Sequence, residues 1–150
     1  DPVVSRPEAG FAIGTAIPMR PGSDVAFITT GIMTGRALAA ADLLAGQGIA
    51  AGVLHVHTVK PLDTGAVLAA AGGARLVVTV EEHTRIGGLG SAVGDALLDG
   101  APAGRPRLLR LALADAFPEG YGSQDHLLRR AGLDADGIAQ AVAAALAATG

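Results

Sequence analysis

The residues best equipped for chemistry lie between Thr79 and Leu98, in the stretch TVEEHTRIGGLGSAVGDALL. Glu81, Glu82 and His83 follow an apolar run, and Gly87, Gly88 and Gly90 precede a helix-like segment. Carboxylate and imidazole groups can carry general acid–base chemistry. These stand where a strand of an open α/β sheet would end, the usual place for a ligand. Glycines at a helix start expose backbone N–H groups that attract anions. The pattern is not a dinucleotide fingerprint, because Val93 occupies the last glycine position, and no Lys-Ser/Thr follows as in a P-loop. A dinucleotide site would also want an acid at the end of the next strand, and none occurs before Asp115. The reading favoured here is structural. The glycines permit positive φ and close packing of helix on strand, and Glu82 and His83 belong to a solvated loop or a subunit interface.

A second pair, His55 and His57, lies in LHVHTVKP. On a strand, residues i and i+2 share a face, so the two imidazoles could hold a metal. A zinc site needs at least a third protein ligand, and Glu82 and His83 are the only obvious candidates. No metal ligand is therefore assigned, and packed or solvent-linked histidines at a strand end are expected. The four serines, Ser5, Ser23, Ser91 and Ser123, lie in no G-x-S-x-G elbow. No catalytic residue is assigned. What remains is a candidate pocket or interface made of Gly31, His57, Glu82, His83, Gly87 and Gly88.

Strands and helices must position these groups. VAFITT (Val25–Thr30), AAGVLHV (Ala50–Val56) and LVVTV (Leu76–Val80) are apolar without clean alternation, which suits strands buried on both faces of a parallel sheet. Each precedes a helix-like segment, giving the order of βαβ units. The first helix stops at Gly46 and Gly48. The second has Asp63 as N-cap and Gly72 as its stop, and Ser91 is expected to cap the third. RLLRLAL (Arg107–Leu113) reads as a fourth strand, placed at an edge by its arginines. Ser123 caps a short helix with two arginines in its last turn. Asp134 starts a final helix with an apolar stripe of Ile138, Val142 and Leu146. Ala12–Arg20 reads as a short extra strand that Pro18 confines to an edge.

The 150 residues suit one domain with a sizeable core. Half are hydrophobic and 17% charged, which excludes a disordered chain. A net charge of −3 without a basic stripe gives no reason to expect nucleic acid. There is no cysteine, so disulfides and thiolate metal sites are excluded, and a cytoplasmic location is expected. No membrane span is expected, since the alanine-rich end from Ile138 to Thr149 falls short of the ~20 apolar residues needed. DPVVSRPEAG has no apolar core of a signal peptide and reads as the tail of a linker.

Taken together, DVAFITTGIMTGRALAAADLLAGQGIAAGVLHVHTVKPLD, TVEEHTRIGGLGSAVGDALL and AGLDADGI resemble the C-terminal domain of transketolase-like thiamine diphosphate enzymes. The likeness covers roughly residues 11–147, and TVKPLD with EEH…GGLGSAV carries most of it. The resemblance implies a three-layer α/β/α domain with a mostly parallel five-stranded sheet and one antiparallel edge strand, assigned to Ala12–Arg20. Residues 1–10 would be a linker from a preceding pyrimidine-binding domain, and residues 11–150 the domain itself. It implies that thiamine diphosphate and Mg²⁺ are held by other domains or a partner subunit. Their diphosphate motif and ring-activating glutamate are not in this sequence, so this chain alone would bind no cofactor and be inactive. Its share would be positioning and homodimer contacts. HTVKPLD and EEHTRIGGLGSAV look closest to transketolase, in particular its split form, which transfers two-carbon ketol units between sugar phosphates. The alternatives are 1-deoxyxylulose-5-phosphate synthase and the 2-oxo acid dehydrogenase beta subunit. DAFPEGYGSQDHLL (Asp115–Leu128) is a loose version of the family's F…SG…LL stretch. A rival of another class is a stand-alone small-ligand module with a pocket near Gly31, His57, His83 and Gly88.

Overall fold

A computed structural model describes residues 3–4, 10–100, 104, 106–115 and 122–148. Most of the expected linker, and residues 116–121 of the loosely matching stretch, lie outside the described residues. The elements in chain order are β1 (Ile17–Arg20), β2 (Val25–Thr29), α1 (Met33–Ala45), β3 (Ala51–His55), α2 (Thr64–Ala71), β4 (Leu76–Thr84), α3 (Leu89–Gly100), β5 (Arg107–Leu113), α4 (Gln124–Arg130) and α5 (Ala135–Ala147). The strands form one sheet in the order β1-β3-β2-β4-β5, parallel except for β1.

The missing alternation in the strands now has its cause. On β2, Val25 and Phe27 enter a core with α1, α4 and α5, while Ala26 and Ile28 enter a second core with α2 and α3. Both faces are covered, so neither set of positions can be polar. The first core gathers Met33, Leu44, Val78, Leu128, Ile138 and Val142, and the second gathers Leu54, Val67, Val77, Val93 and Leu97. The result is three layers, helix on sheet on helix.

The antiparallel edge strand is shorter than expected. Thr15 N–H bonds to Ala12 C=O and Gly14 has φ +79°, so residues 12–15 make a turn and pairing begins at Ile17. β4 is longer than its apolar run, continuing through Glu81, Glu82 and His83 to Thr84. β5 lies at the other edge. Three expected caps are in place. Asp63 accepts from Ala66 N–H, Ser123 from His126 N–H and Asp134 from Gly137 N–H. The Ser91 cap is not: α3 starts two residues earlier, at Leu89, and the Ser91 hydroxyl accepts from Gly87 N–H instead. Among the described residues no helix is long and apolar enough to cross a membrane.

Candidate functional site

The order of the strands reverses between β2 and β4, so the switch-point crevice of this sheet lies beyond their carboxyl ends. Gly31 follows β2 with φ +55°, and the glycine loop follows β4. The α3 N-terminus, which the sequence offered as an anion site, is filled from within the chain. Leu89 N–H donates to Glu81 Oε2 at 2.7 Å and Gly90 N–H to Glu81 Oε1 at 2.8 Å. Glu81 is 2% exposed. A carboxylate satisfies two orphan donors of a helix start and complements its positive end.

Glu81 reaches this position through the pleat and a shift in register. It shares a sheet face with Val77 and Thr79, the face that α3 covers. The pairing of β4 with β5 slips between Val80 and Thr84, which is where EEH lies, and such irregularities re-aim side chains. The glycines then have distinct tasks. Gly87 takes φ +74°. A Cβ on Gly88 would stand 2.0 Å from Glu81 Oε2, and one on Gly90 would stand 2.7 Å from Arg110 Cδ and 3.0 Å from Thr79 Oγ1. Thr79 is fully buried and its hydroxyl has no partner among the described residues.

The other candidates divide into separate places. Glu82 is exposed and accepts from Gln124 Nε2 at 2.6 Å, tying the end of β4 to the start of α4. His83 is exposed, its Nδ1 donating to Thr84 C=O at 3.2 Å. Gly31 lines a cavity of about 550 Å³ with Val4, Ile32, Arg36, Leu38 and Asp125 among its walls, and none of His57, His83 or Gly88 belongs to it. Arg36 and Asp125 are paired across it at 2.5 Å.

His55 ends β3, and His57 lies two residues on, outside the strand. Their ring centroids are 5.9 Å apart, and Phe11 lies 4.9 Å from His57 and 6.4 Å from His55. His55 Nδ1 is 2.7 Å from Thr34 Oγ1, and His57 Nδ1 is 3.0 Å from Thr58 Oγ1. Burial, and then the neighbouring His57, hold the His55 pKa below the usual histidine value. Among the described residues no three His, Cys, Asp or Glu side chains converge as a metal site.

The α3 N-terminus is not open to a diphosphate, since Glu81 occupies the Leu89 and Gly90 N–H groups and would set a like charge beside it. The sequence reading grouped Glu81 with Glu82 and His83 as possible acid–base residues and left it out of the candidate pocket. The signal available was its parity with Val77 and Thr79, which points it at the helix that follows.

Residues 14–138 match the family model described as "Transketolase, C-terminal domain". The chain is 47% identical over 131 residues to a 6-deoxy-6-sulfo-D-fructose transketolase subunit of Clostridium sp. (strain MSTE9), covering 87% of this chain and 39% of that protein. It is 44% identical over 130 residues to a 1-deoxy-D-xylulose-5-phosphate synthase of Syntrophotalea carbinolica, covering 87% of this chain and 20% of that one. A solved structure described as a split gene transketolase, inactive beta4 tetramer, superposes with a TM-score of 0.87 at 37% identity, over 97% of this chain and 46% of that one. The chain thus spans less than half the length of these relatives. The matched span, the strand order and these identities together place the chain in the transketolase C-terminal domain family.

Proposed function

We propose that this chain is the assembly-supporting C-terminal domain of an enzyme that transfers two-carbon ketol units between sugar phosphates. The observation that carries the reading is the Glu81 carboxylate in the α3 N-terminus, which leaves the glycine loop as structure instead of a cofactor cradle. Thiamine diphosphate, with Mg²⁺, supplies the carbanion stabilisation from other domains or a partner subunit. The share of this chain is to position those parts and make homodimer contacts through loops that include Glu82, His83 and His57. The isolated chain is inactive, and a cytoplasmic setting belongs to the same reading. The transketolase subunit and the split transketolase among the relatives support it.

The test removes residues 11–150 from the enzyme and measures assembly by sedimentation and ketol transfer by turnover. Weakened assembly is expected, and normal dimers with normal turnover would overturn the assigned role. Calorimetric titration of this chain with thiamine diphosphate and Mg²⁺ is expected to give no heat of binding. A second reading, 1-deoxy-D-xylulose-5-phosphate synthase, is favoured by several relatives at 38–44% identity. The product made by the whole enzyme separates the two.

A further inference from the structure

The two edges of the sheet are guarded differently. β1 has four residues, includes Pro18, which lacks an N–H, and shifts register between Pro18 and Arg20. Such features keep an edge from pairing further. β5 has seven residues and no proline, and no described strand lies beyond it. Its pairing slip belongs to β4, which goes from Val80 to Thr84 while β5 goes only from Leu111 to Leu113. In a parallel ladder a residue turns its N–H and C=O to one side, and successive residues alternate. Leu113 C=O accepts from Arg85 N–H at 3.2 Å, so Leu113 faces β4. By alternation Leu109 and Leu111 face β4 too, and Leu108, Arg110 and Ala112 turn their backbone groups to the open side.

The charges along this edge have one sign. Arg110 is half-buried on the α3 face of the strand, and the exposed Arg85 reaches the open side, its Nη2 3.4 Å from Arg110 C=O. Neither guanidinium has a carboxylate partner among the described residues. Arg107, at the start of the strand, gives its Nη1 to Ala145 C=O at 2.7 Å. Arginine on an edge turns away a second basic strand, but it attracts an acidic one. A second copy of β5, antiparallel and centred on Arg110, would set that arginine opposite itself, a destabilising like-charge pair. Where β5 ends, a cavity of about 420 Å³ is walled by Ile86, Ala112, Ala114 and Ala131 with Arg85 and Asp115. Ile86 is 69% exposed there.

We propose that the open edge of β5 is a docking site for an acidic, extended segment of a partner protein, which adds to the sheet as a sixth strand. In this mode main-chain hydrogen bonds give affinity, and alternate side chains give specificity. The outward N–H and C=O groups of Leu108, Arg110 and Ala112 supply the first. Arg85 and Arg110 supply the second by pairing with carboxylates of the segment. Arg85 gives up its long bond to Arg110 C=O, which then accepts from the incoming backbone. The cavity beside Ala112 takes an apolar side chain of the same segment.

The test titrates the chain into a fluorescein-labelled, end-capped octapeptide of alternating valine and glutamate, read by anisotropy, with the valine–lysine counterpart as control. Saturable binding of the glutamate peptide is expected, about tenfold tighter than the lysine one, since both cross-strand charge contacts change sign. ¹H–¹⁵N spectra should show the largest amide shifts at Leu108, Arg110 and Ala112. Ala112→Pro removes one outward N–H without touching the pairing with β4, and should abolish binding while circular dichroism is unchanged. Arg85→Glu combined with Arg110→Glu should reverse the order of the two peptides. If a variant fails to fold, the spectra of the unaltered chain decide alone. Absence of saturable binding, equal affinity for the two peptides, or shifts that spare Leu108, Arg110 and Ala112 would overturn the proposal. So would a concentration-dependent dimer of the chain that Ala112→Pro dissolves, because a second copy would then hold the edge.

Discussion

Replacing Glu81 with glutamine tests how far the carboxylate organises the start of α3. Glutamine keeps the length of the side chain and one acceptor oxygen. Its amide nitrogen is a donor, so it faces one of the two N–H groups, of Leu89 or Gly90, with like polarity. One charge-assisted bond, about 1.5–3 kcal/mol, is lost, and buried donors are stranded at about 1–3 kcal/mol. The interaction of a negative charge with the helix end, up to about 2 kcal/mol in partly buried geometry, goes as well. These terms overlap, and a net cost of about 3–5 kcal/mol is expected for a residue 2% exposed. At roughly 2–4 °C per kcal/mol for a chain of this size, Tm falls by about 10 °C. Urea unfolding followed by circular dichroism, with the m-value unchanged, and calorimetry would measure it. A cost below about 1 kcal/mol would refute the anchoring role. Gly88→Ala supplies an internal check, since its Cβ would stand 2.0 Å from Glu81 Oε2 and must displace the same carboxylate. The double variant should then cost much less than the sum of the two singles, and simple additivity would show that they do not act on one interaction.

Two further outcomes concern pH. The Asp63 pKa is lowered by hydrogen bonds from Ala16 N–H and Ala66 N–H, so its stabilisation is present above the ordinary aspartate pKa and fades as pH falls through the lowered value. Asp63→Ala should therefore cost about 1 kcal/mol at neutral pH, with the gap between the urea curves closing in acid; a gap independent of pH would contradict this. His55, lowered by burial and then by His57, binds its proton more readily when unfolded, so stability should decline as pH drops below the ordinary histidine value of 6.5 towards the lowered one. Urea midpoints across that interval should show the decline in the unaltered chain and lose much of it in His55→Gln, and equal slopes would refute the assignment.

The parts of the fold that were legible from sequence are those with a local cause. Val25–Thr29 was recognisable because two covered faces leave an unbroken apolar run, and Asp63, Ser123 and Asp134 because a cap bonds only three residues ahead. Ser91 misled for the same reason: it stands in a good capping position by sequence, but Glu81, ten residues earlier, already holds the helix start. The length of β4 was hidden because its apolar run ends at Val80, whereas its pairing with β5 resumes at Thr84 after the slip. Of the candidate site, the backbone geometry of the glycine loop was legible, with Gly87 at positive φ and Gly88 and Gly90 in close approach. The scatter of Gly31, Glu82 and His57 over different neighbours was not legible. The Thr29–Thr34–His55 chain was not either, because it needs β2, α1 and β3 to meet in space.

The two-sided burial of β2 also shapes what variation the domain can carry. A strand with one wet face has a permissive position at every second residue, where change is nearly neutral. β2 has none, since all five of its residues are buried. A library of single substitutions should therefore leave a flat block of intolerance over Val25–Thr29, without the two-residue rhythm usually taken as the mark of a strand. β5, whose residues are all partly exposed or more, can accommodate Arg107 and Arg110 and would carry most of the sheet's freedom to diverge. Two strands of one sheet would thus drift at different rates, set by their place in the layer order and not by their own sequences.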